Sequence, residues 1–350
     1  MGQCLENVAG QLDGKTIRQP VGVCAGISPF NFPLMVPMWI FPLALVCGNT
    51  FILKPSERVP LAAQRLSELL LESGFPPGVF NLVHGGRDVV QALATHPLIA
   101  AVSFVGSSDV AGEVYRMATS HNKRCQAGGG AKNFTVVLPD ADPQSVARAV
   151  IGSSFGCAGQ RCMASSVLVG VGPSVSEHLE CLHELTSALK IGRTDIPSDA
   201  QMGPVVGPEA RTRIAAAIDG AETGGGVVTL DGRQNQVPDA PDGFFIGPTI
   251  IENAPPDTDL LQQEVFGPVL AVQRVDQLDD AIRLANQSAF GNGAVIFTSN
   301  GGAAREFASR VNCGMVGINV GVPAPTALFP FNGWHGSFCS YRFFYDNSVA

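Results

Sequence analysis

Short apolar runs alternate along the chain with longer stretches whose apolar residues recur at helical spacing. The first run, 21–27, ends in the polar turn Ser28-Pro29-Phe30-Asn31. The apolar stretch 32–47 carries Pro33, Pro37 and Pro42. It is shorter than the ~20 residues a membrane-spanning helix needs, so it predicts a buried helix. Gly48-Asn49 breaks that stretch, and 50–53 predicts a buried strand. Pro60 opens a helix in which Leu61, Leu66, Leu69 and Leu70 fall near helical spacing. Strands over 79–83 and 101–105, with helices over 88–94 and 109–118, continue the alternation. This order predicts a parallel sheet with right-handed crossovers.

Ligands of such sheets sit outside the carboxyl ends of the strands. Polar clusters follow three of the predicted strands, at 28–31, 54–58 and 106–109, and are expected to converge on one crevice. The break Gly128-Gly129-Gly130 precedes a new strand at 134–138. Asp142-Pro143 then caps a helix in the favoured way, with proline at its first position. That helix runs to about Ser154 and leads into Phe155-Gly156-Cys157-Ala158-Gly159-Gln160-Arg161-Cys162. A domain boundary is expected near residue 130, and a second set of strands and helices reaches to about residue 320. The stretch 234–243 reads as an exposed loop.

A chain of 350 residues with 45% hydrophobic content can bury two domain cores. The net charge of −8 speaks against a broad nucleic-acid footprint, which needs a basic surface. No apolar stretch suits a membrane span or a secretory signal. A small acidic substrate remains compatible, because one arginine can hold a carboxylate whatever the net charge. The nine cysteines are odd in number, scattered and without a CxxC pair. They read as reduced thiols rather than as a disulfide framework or a metal site.

Cys162 ends a loop of small residues directly after Arg161. A thiol attacks as thiolate, and a neighbouring guanidinium favours that form. From the residues alone a buried structural thiol is the commoner reading, as the other eight cysteines show. Lys54 and Glu57 follow an apolar strand and could hold the hydroxyls of a ribose, or form a salt-bridged surface turn. Ser107 lies where a strand ends and a helix opens, so the amides there could meet a pyrophosphate. Glu264, in the turn Gln263-Glu264-Val265-Phe266-Gly267-Pro268, could be an acid, a base, a ribose ligand or a solvated charge.

Taken in order, five segments resemble the aldehyde dehydrogenase superfamily. They are Pro29-Phe30-Asn31-Phe32-Pro33, Lys54-Pro55-Ser56-Glu57, Phe104-Val105-Gly106-Ser107, Gly159-Gln160-Arg161-Cys162 and Glu264-Val265-Phe266-Gly267-Pro268. Finer features resemble the methylmalonate-semialdehyde dehydrogenase branch: Gly130-Ala131-Lys132-Asn133, Cys162-Met163-Ala164, residues 317–325 and Pro330-Phe331-Asn332-Gly333-Trp334. The resemblance covers about residues 5–338. It implies an α/β fold with a Rossmann-like, parallel-sheet NAD-binding domain over 21–129 and an α/β catalytic domain over 130–338. Residues 1–20 would be a remnant oligomerisation hairpin, and 339–350 a divergent tail.

The resemblance also implies an activity: NAD-dependent, coenzyme A-acylating oxidation and decarboxylation of methylmalonate or malonate semialdehyde to propionyl- or acetyl-coenzyme A. Cys162 would be the nucleophile, with Asn31 and the Cys162 backbone N–H holding the oxyanion. Ser28, Phe30, Lys54, Glu57, Arg58, Ser107 and Glu264 would bind NAD, Glu264 at the nicotinamide ribose. Arg161 would pair with the substrate carboxylate, or support the loop and activate Cys162. Hydrolytic members carry a glutamate four residues before the lysine that Lys132 resembles; here that position is Gly128. Without that base the thioester is left for coenzyme A, which brings its own thiol.

Relative to the family pattern the chain begins well inside, and residues 340–350 no longer follow it. A missing N-terminal segment and final strand are therefore expected. Relatives are dimers or tetramers found in the mitochondrial matrix or the bacterial cytoplasm. The alternatives are a hydrolytic aldehyde dehydrogenase and a truncated member without activity.

Overall fold

The computed structural model describes residues 2–173, 175–326 and 329–339. The chain forms two compact units that divide at Gly128/Gly129, and Cys339 returns to the first unit. The boundary expected near residue 130 lies beside this division; residues 340–350, the expected divergent tail, lie outside the described residues.

The first unit opens with strands β1 (Cys4–Ala9) and β2 (Leu12–Lys15), an antiparallel hairpin exposed along almost its whole length. Then follow β3 (Val23–Ile27), α1 (Met35–Val46), β4 (Thr50–Lys54), α2 (Pro60–Glu72), β5 (Phe80–Leu82), α3 (Arg87–Thr95), β6 (Ile99–Val105), α4 (Ser108–Ser120) and β7 (Arg124–Gly128). The order β7-β6-β3-β4-β5 is parallel throughout, as the alternation predicts. Its core packs Ala25, Ile27, Val102 and Phe104 of the sheet against Ala111, Val114 and Ala118 of α4. On the other side Phe41 of α1 meets Phe80 edge-on, their ring centroids 5.0 Å apart, next to buried Phe51. An apolar ring the size of Phe51 stabilises the fold by about 2–3 kcal/mol through burial alone.

Two expectations need correction. Helix α1 is not buried: Val36, Pro37, Ile40 and Phe41 face inward, but Met35, Met38, Leu43 and Val46 are exposed. Its sequence is apolar all round, so periodicity could not show which stripe faces the core. Strand β7, Arg-Cys-Gln-Ala-Gly, was not foreseen. Polar residues and a terminal glycine hide it, and its place in the sheet comes from pairing with β6.

The second unit runs through β8 (Asn133–Val137), α5 (Pro143–Ser154), β9 (Ser165–Val171), α6 (Val175–Ser187), α7 (Pro208–Thr223), β10 (Val227–Leu230), β11 (Thr249–Glu252), α8 (Asp259–Gln262), β12 (Val269–Val275), α9 (Leu278–Asn286), β13 (Phe290–Gly291), β14 (Gly293–Phe297), α10 (Gly301–Arg310), β15 (Met315–Ile318) and β16 (Trp334–His335). Asp142 caps α5 by accepting from the Ser145 amide at 2.8 Å. The sheet order is β10-β11-β12-β9-β8-β14-β15, with only β10 antiparallel. Its central strands are buried on both faces, hence the near-continuous apolar runs in β8, β9, β12 and β14. The stretch 234–243 is a largely exposed loop pinned by buried Val237. Among the described residues no helix is long and apolar enough to cross a membrane.

Candidate active site

Three neighbouring strands of the first unit end side by side. Ile27 pairs with Lys54 on one side and with Phe104 on the other, so the clusters after β3, β4 and β6 share one end of the sheet. The Ser28 amide donates to the Lys54 carbonyl at 3.1 Å. The Ser28 hydroxyl is buried and finds no hydrogen-bond partner among the described residues. A buried hydroxyl without a partner costs about 1–3 kcal/mol, which a ligand oxygen at this edge would offset. Phe30 and Asn31 lie in the turn after β3, both half-buried. Lys54 is buried and its ammonium lies 2.8 Å from the Glu57 carboxylate, which is itself exposed. That contact holds the Glu57 carboxyl below the usual carboxylate range. Arg58 stands exposed beside them. Ser107 is the N-cap residue of α4 and its side chain makes no capping bond, and a helix N-terminus favours an anion.

This edge fits a dinucleotide: a buried cation with an adjacent exposed carboxylate, an unpartnered buried hydroxyl, and an open helix N-terminus on adjacent strands. The two readings of Lys54 and Glu57, ribose ligand and salt bridge, are thus one arrangement rather than alternatives. The salt bridge orients the exposed carboxylate.

In the second unit the chemistry gathers at the amino ends of the strands, not the carboxyl ends. Asn133 begins β8, Asn292 immediately precedes β14, Cys162 lies three residues before β9, and Glu264 lies in the turn before β12. The Cys162 carbonyl accepts from Asn133 Nδ2 and from Asn292 Nδ2, each at 2.9 Å. Asn133 Nδ2 also donates to the Ala164 carbonyl at 2.9 Å, and its Oδ1 accepts from the Gly293 amide at 3.1 Å. One buried amide therefore ties the Cys162 loop to β14.

The loop reaches Cys162 through three consecutive left-handed residues, Cys157 (φ 53°), Ala158 (φ 52°) and Gly159 (φ 68°). Only glycine fits the third: a Cβ on Gly159 would lie 2.0 Å from the Gly267 carbonyl oxygen. The Cys162 loop and the Glu264 loop are thus in backbone contact. Gln160, also buried, accepts from the Val206 amide at 3.1 Å and anchors the middle of the loop. Arg161 reaches back to α5. Its Nη1 donates to the Gly152 carbonyl at the end of α5 at 3.1 Å, and its Nε is buried without a partner among the described residues.

Loss of solvent pushes the Cys162 thiol up to about 12, and the Glu264 carboxylate adds to the rise. Burial likewise raises Glu264 to about 7, against the pull of an amide bond from Ala131 and of the Lys132 and Arg213 cations. The Ala131 amide donates to Glu264 Oε1 at 2.9 Å. Lys132 is buried, with its Nζ donating to the Gln263 carbonyl at 2.8 Å, and desolvation brings it down to about 8. Arg213, from α7, donates to the Val265 carbonyl. Lys132, Arg161, Glu264 and Phe266 line a common cleft with Gly159 and Gly267. Among the described residues no group of three or more His, Cys, Asp or Glu side chains could hold a metal.

The expected residues therefore fall into two sets, Ser28, Phe30, Asn31, Lys54, Glu57, Arg58 and Ser107 in the first unit and Arg161, Cys162 and Glu264 in the second. Sequence reasoning missed Asn133, Asn292, Gln160 and Arg213 as parts of the site. Asn133 and Lys132 stood inside a quoted family segment, but Asn292 and Arg213 carry no local signal.

The aldehyde dehydrogenase family pattern matches residues 2–348. The chain is 46% identical over 338 residues to a malonate-semialdehyde dehydrogenase of Halalkalibacterium halodurans, covering 97% of this chain and 69% of that protein. It is 49% identical over 339 residues to malonate-semialdehyde dehydrogenase 1 of Oceanobacillus iheyensis, with the same coverage. A crystal structure of methylmalonate-semialdehyde dehydrogenase from Oceanimonas doudoroffii superposes with a TM-score of 0.96 at 43% identity, covering 98% of this chain and 70% of that one. A Sinorhizobium meliloti structure described as a methylmalonate-semialdehyde dehydrogenase complexed with NAD gives 0.95 at 45% identity, covering 97% and 69%. With a cysteine loop clamped by two amides, a strand edge suited to a dinucleotide and this breadth of similarity, the chain belongs to the aldehyde dehydrogenase family.

Proposed function

We propose that the protein oxidises malonate or methylmalonate semialdehyde with NAD and passes the acyl group to coenzyme A, releasing carbon dioxide. The observation that carries this reading is the Cys162 loop, whose carbonyl is held by two side-chain amides at 2.9 Å. The substrate class is supported by the names of relatives at 46% and 49% identity.

Cys162 attacks the aldehyde carbon, and its backbone N–H stabilises the oxyanion. NAD, when bound, accepts the hydride. Ser28, Phe30, Lys54, Glu57, Arg58 and Ser107 hold the cofactor, and Glu264 holds the ribose nearest the nicotinamide. Arg161 pairs with the substrate carboxylate; a guanidinium with an unpartnered buried Nε has donor capacity to spare. Gly128 offers no side chain to activate water, so the thioester persists for attack by the coenzyme A thiol. A carboxylate β to the thioester carbonyl can leave as carbon dioxide, because that carbonyl accepts the electron pair. The exposed hairpin β1–β2, with Leu5, Val8 and Leu12 uncovered, is the surface we assign to pairing between subunits of a homo-oligomer.

NADH formation from methylmalonate semialdehyde, with and without coenzyme A, tests the reading. Propionyl-coenzyme A identified by mass spectrometry, and absent in Cys162→Ala, is the expected result. Free propionate formed as fast without coenzyme A would replace this reading with a hydrolytic one.

A further inference from the structure

The last turn of α5 and the short turn that follows it carry Gly152 and Gly156. The Arg161 guanidinium fills the space where a side chain at Gly156 would begin. A Cβ built there would lie 2.7 Å from Nη2, 2.8 Å from Cζ and 2.9 Å from Nη1. Packed atoms do not approach so closely, so any side chain at 156 displaces the guanidinium. The Gly152 carbonyl anchors it, accepting from Nη1 at 3.1 Å. Carbonyls in the last turn of a helix run out of intrahelical donors and favour a cation. That bond uses one of the five N–H donors of an arginine. Nε is buried without a partner, and among the described residues Arg161 forms no ion pair with a carboxylate. A cation anchored by one neutral carbonyl keeps its charge and its remaining donors for an anion.

We propose that Gly156 is a positioning residue that sets specificity for a carboxylate: it is the seat from which the Arg161 guanidinium meets an acyl group bonded to Cys162. This rests on the proposed pairing of Arg161 with the substrate carboxylate. Gly156 does not have a left-handed φ, so alanine suits its backbone. The atoms that a Cβ would meet are the far end of a flexible side chain. The added methyl group therefore shifts the guanidinium and leaves the fold intact. The glycine serves the arginine, not the turn.

The test compares two alkylating reagents that differ in charge, 3-iodopropionate and 3-iodopropionamide, and uses neither aldehyde nor cofactor. Each bonds its terminal carbon to the Cys162 sulfur and releases iodide. The first leaves a carboxylate two carbons from sulfur, its place when malonate semialdehyde is bonded there. Rates at Cys162 come from peptide mass spectrometry, with Cys162→Ala as control for the other cysteines. The carboxylate-to-amide ratio is referred to that of 2-mercaptoethanol. In wild type it should exceed this reference about 10-fold, the low side of a hydrogen bond to a charged group. Gly156→Ala and Arg161→Gln should each return it to the reference, and the double variant should go no lower. In Gly156→Ala the amide rate should hold, and the melting temperature should stay within about 2 °C of wild type. A general disturbance of the loop would slow both reagents alike. Equal loss of both rates in Gly156→Ala, or failure of that variant to fold, would overturn the proposal. An effect of Arg161→Gln without one of Gly156→Ala would overturn the proposal alone. A ratio unmoved by Arg161→Gln would overturn the carboxylate role of Arg161 and the proposal with it.

Discussion

Replacing Asn133 by alanine removes the side chain that holds the nucleophile loop to the sheet. Three bonds are lost, to the Cys162 and Ala164 carbonyls at 2.9 Å each and from the Gly293 amide at 3.1 Å. At about 1 kcal/mol net per bond the loss is about 3 kcal/mol, and more if the buried Gly293 N–H finds no new acceptor. The Cys162 carbonyl keeps Asn292, so the loop is loosened rather than released. A nucleophile misplaced by about 1 Å can lose ~100-fold in rate; with one clamp retained, a fall of roughly 10-fold in the NADH burst is expected. Asn133→Asp sharpens the test. It keeps an acceptor for Gly293 but sets a carboxylate against two carbonyl oxygens, so it should destabilise at least as much. Urea unfolding followed by circular dichroism gives the stability, and stopped-flow absorbance gives the burst. If Asn133→Ala unfolds within about 0.5 kcal/mol of wild type with an unchanged burst, the clamp does not position Cys162.

Gly159→Ala should lose the NADH burst, because the added side chain forces the Cys162 and Glu264 loops apart. The left-handed conformation alone costs about 1–2 kcal/mol for a non-glycine residue, and the new Cβ would meet Gly267 oxygen at 2.0 Å. A full burst from this variant would show that the loops need not touch. Lys132→Met changes the pH dependence of stability. Burial holds the Lys132 ammonium at about 8 against an ordinary 10.5, so between those values the unfolded chain binds more protons than the folded one. Stability from this group therefore rises with pH across that window. Unfolding free energies at several pH values should show the rise in wild type and not in Lys132→Met; parallel curves would count against the buried cation.

Much of the fold was legible because α/β alternation is a local signal. Apolar runs bounded by glycine and proline marked β3, β4, β6 and β8, and Asp142-Pro143 marked the start of α5. Strand β7 was not legible, since its residues resemble a loop and only pairing with β6 makes them a strand. Helix α1 was read as a helix but not as half-exposed, because a segment apolar on every face does not say which face packs.

The same division runs through the site. Sequence by itself marked the candidate side chains: Cys162 behind a small-residue loop, Lys54 and Glu57 after an apolar strand, Ser107 at a helix start. Those are short-range patterns, each complete within a few residues. Only the tertiary structure decided their electrical state. The proton affinity of Cys162 depends on Glu264, about a hundred residues away in the chain, and on solvent removed by packing. Glu264 in turn depends on Lys132 and Arg213. Arg161 is the sharpest contrast: its place beside Cys162 in sequence suggested an activator, yet its side chain turns back to Gly152. Adjacency in the chain fixes the backbone distance, whereas charge acts through space, and space is set by the fold.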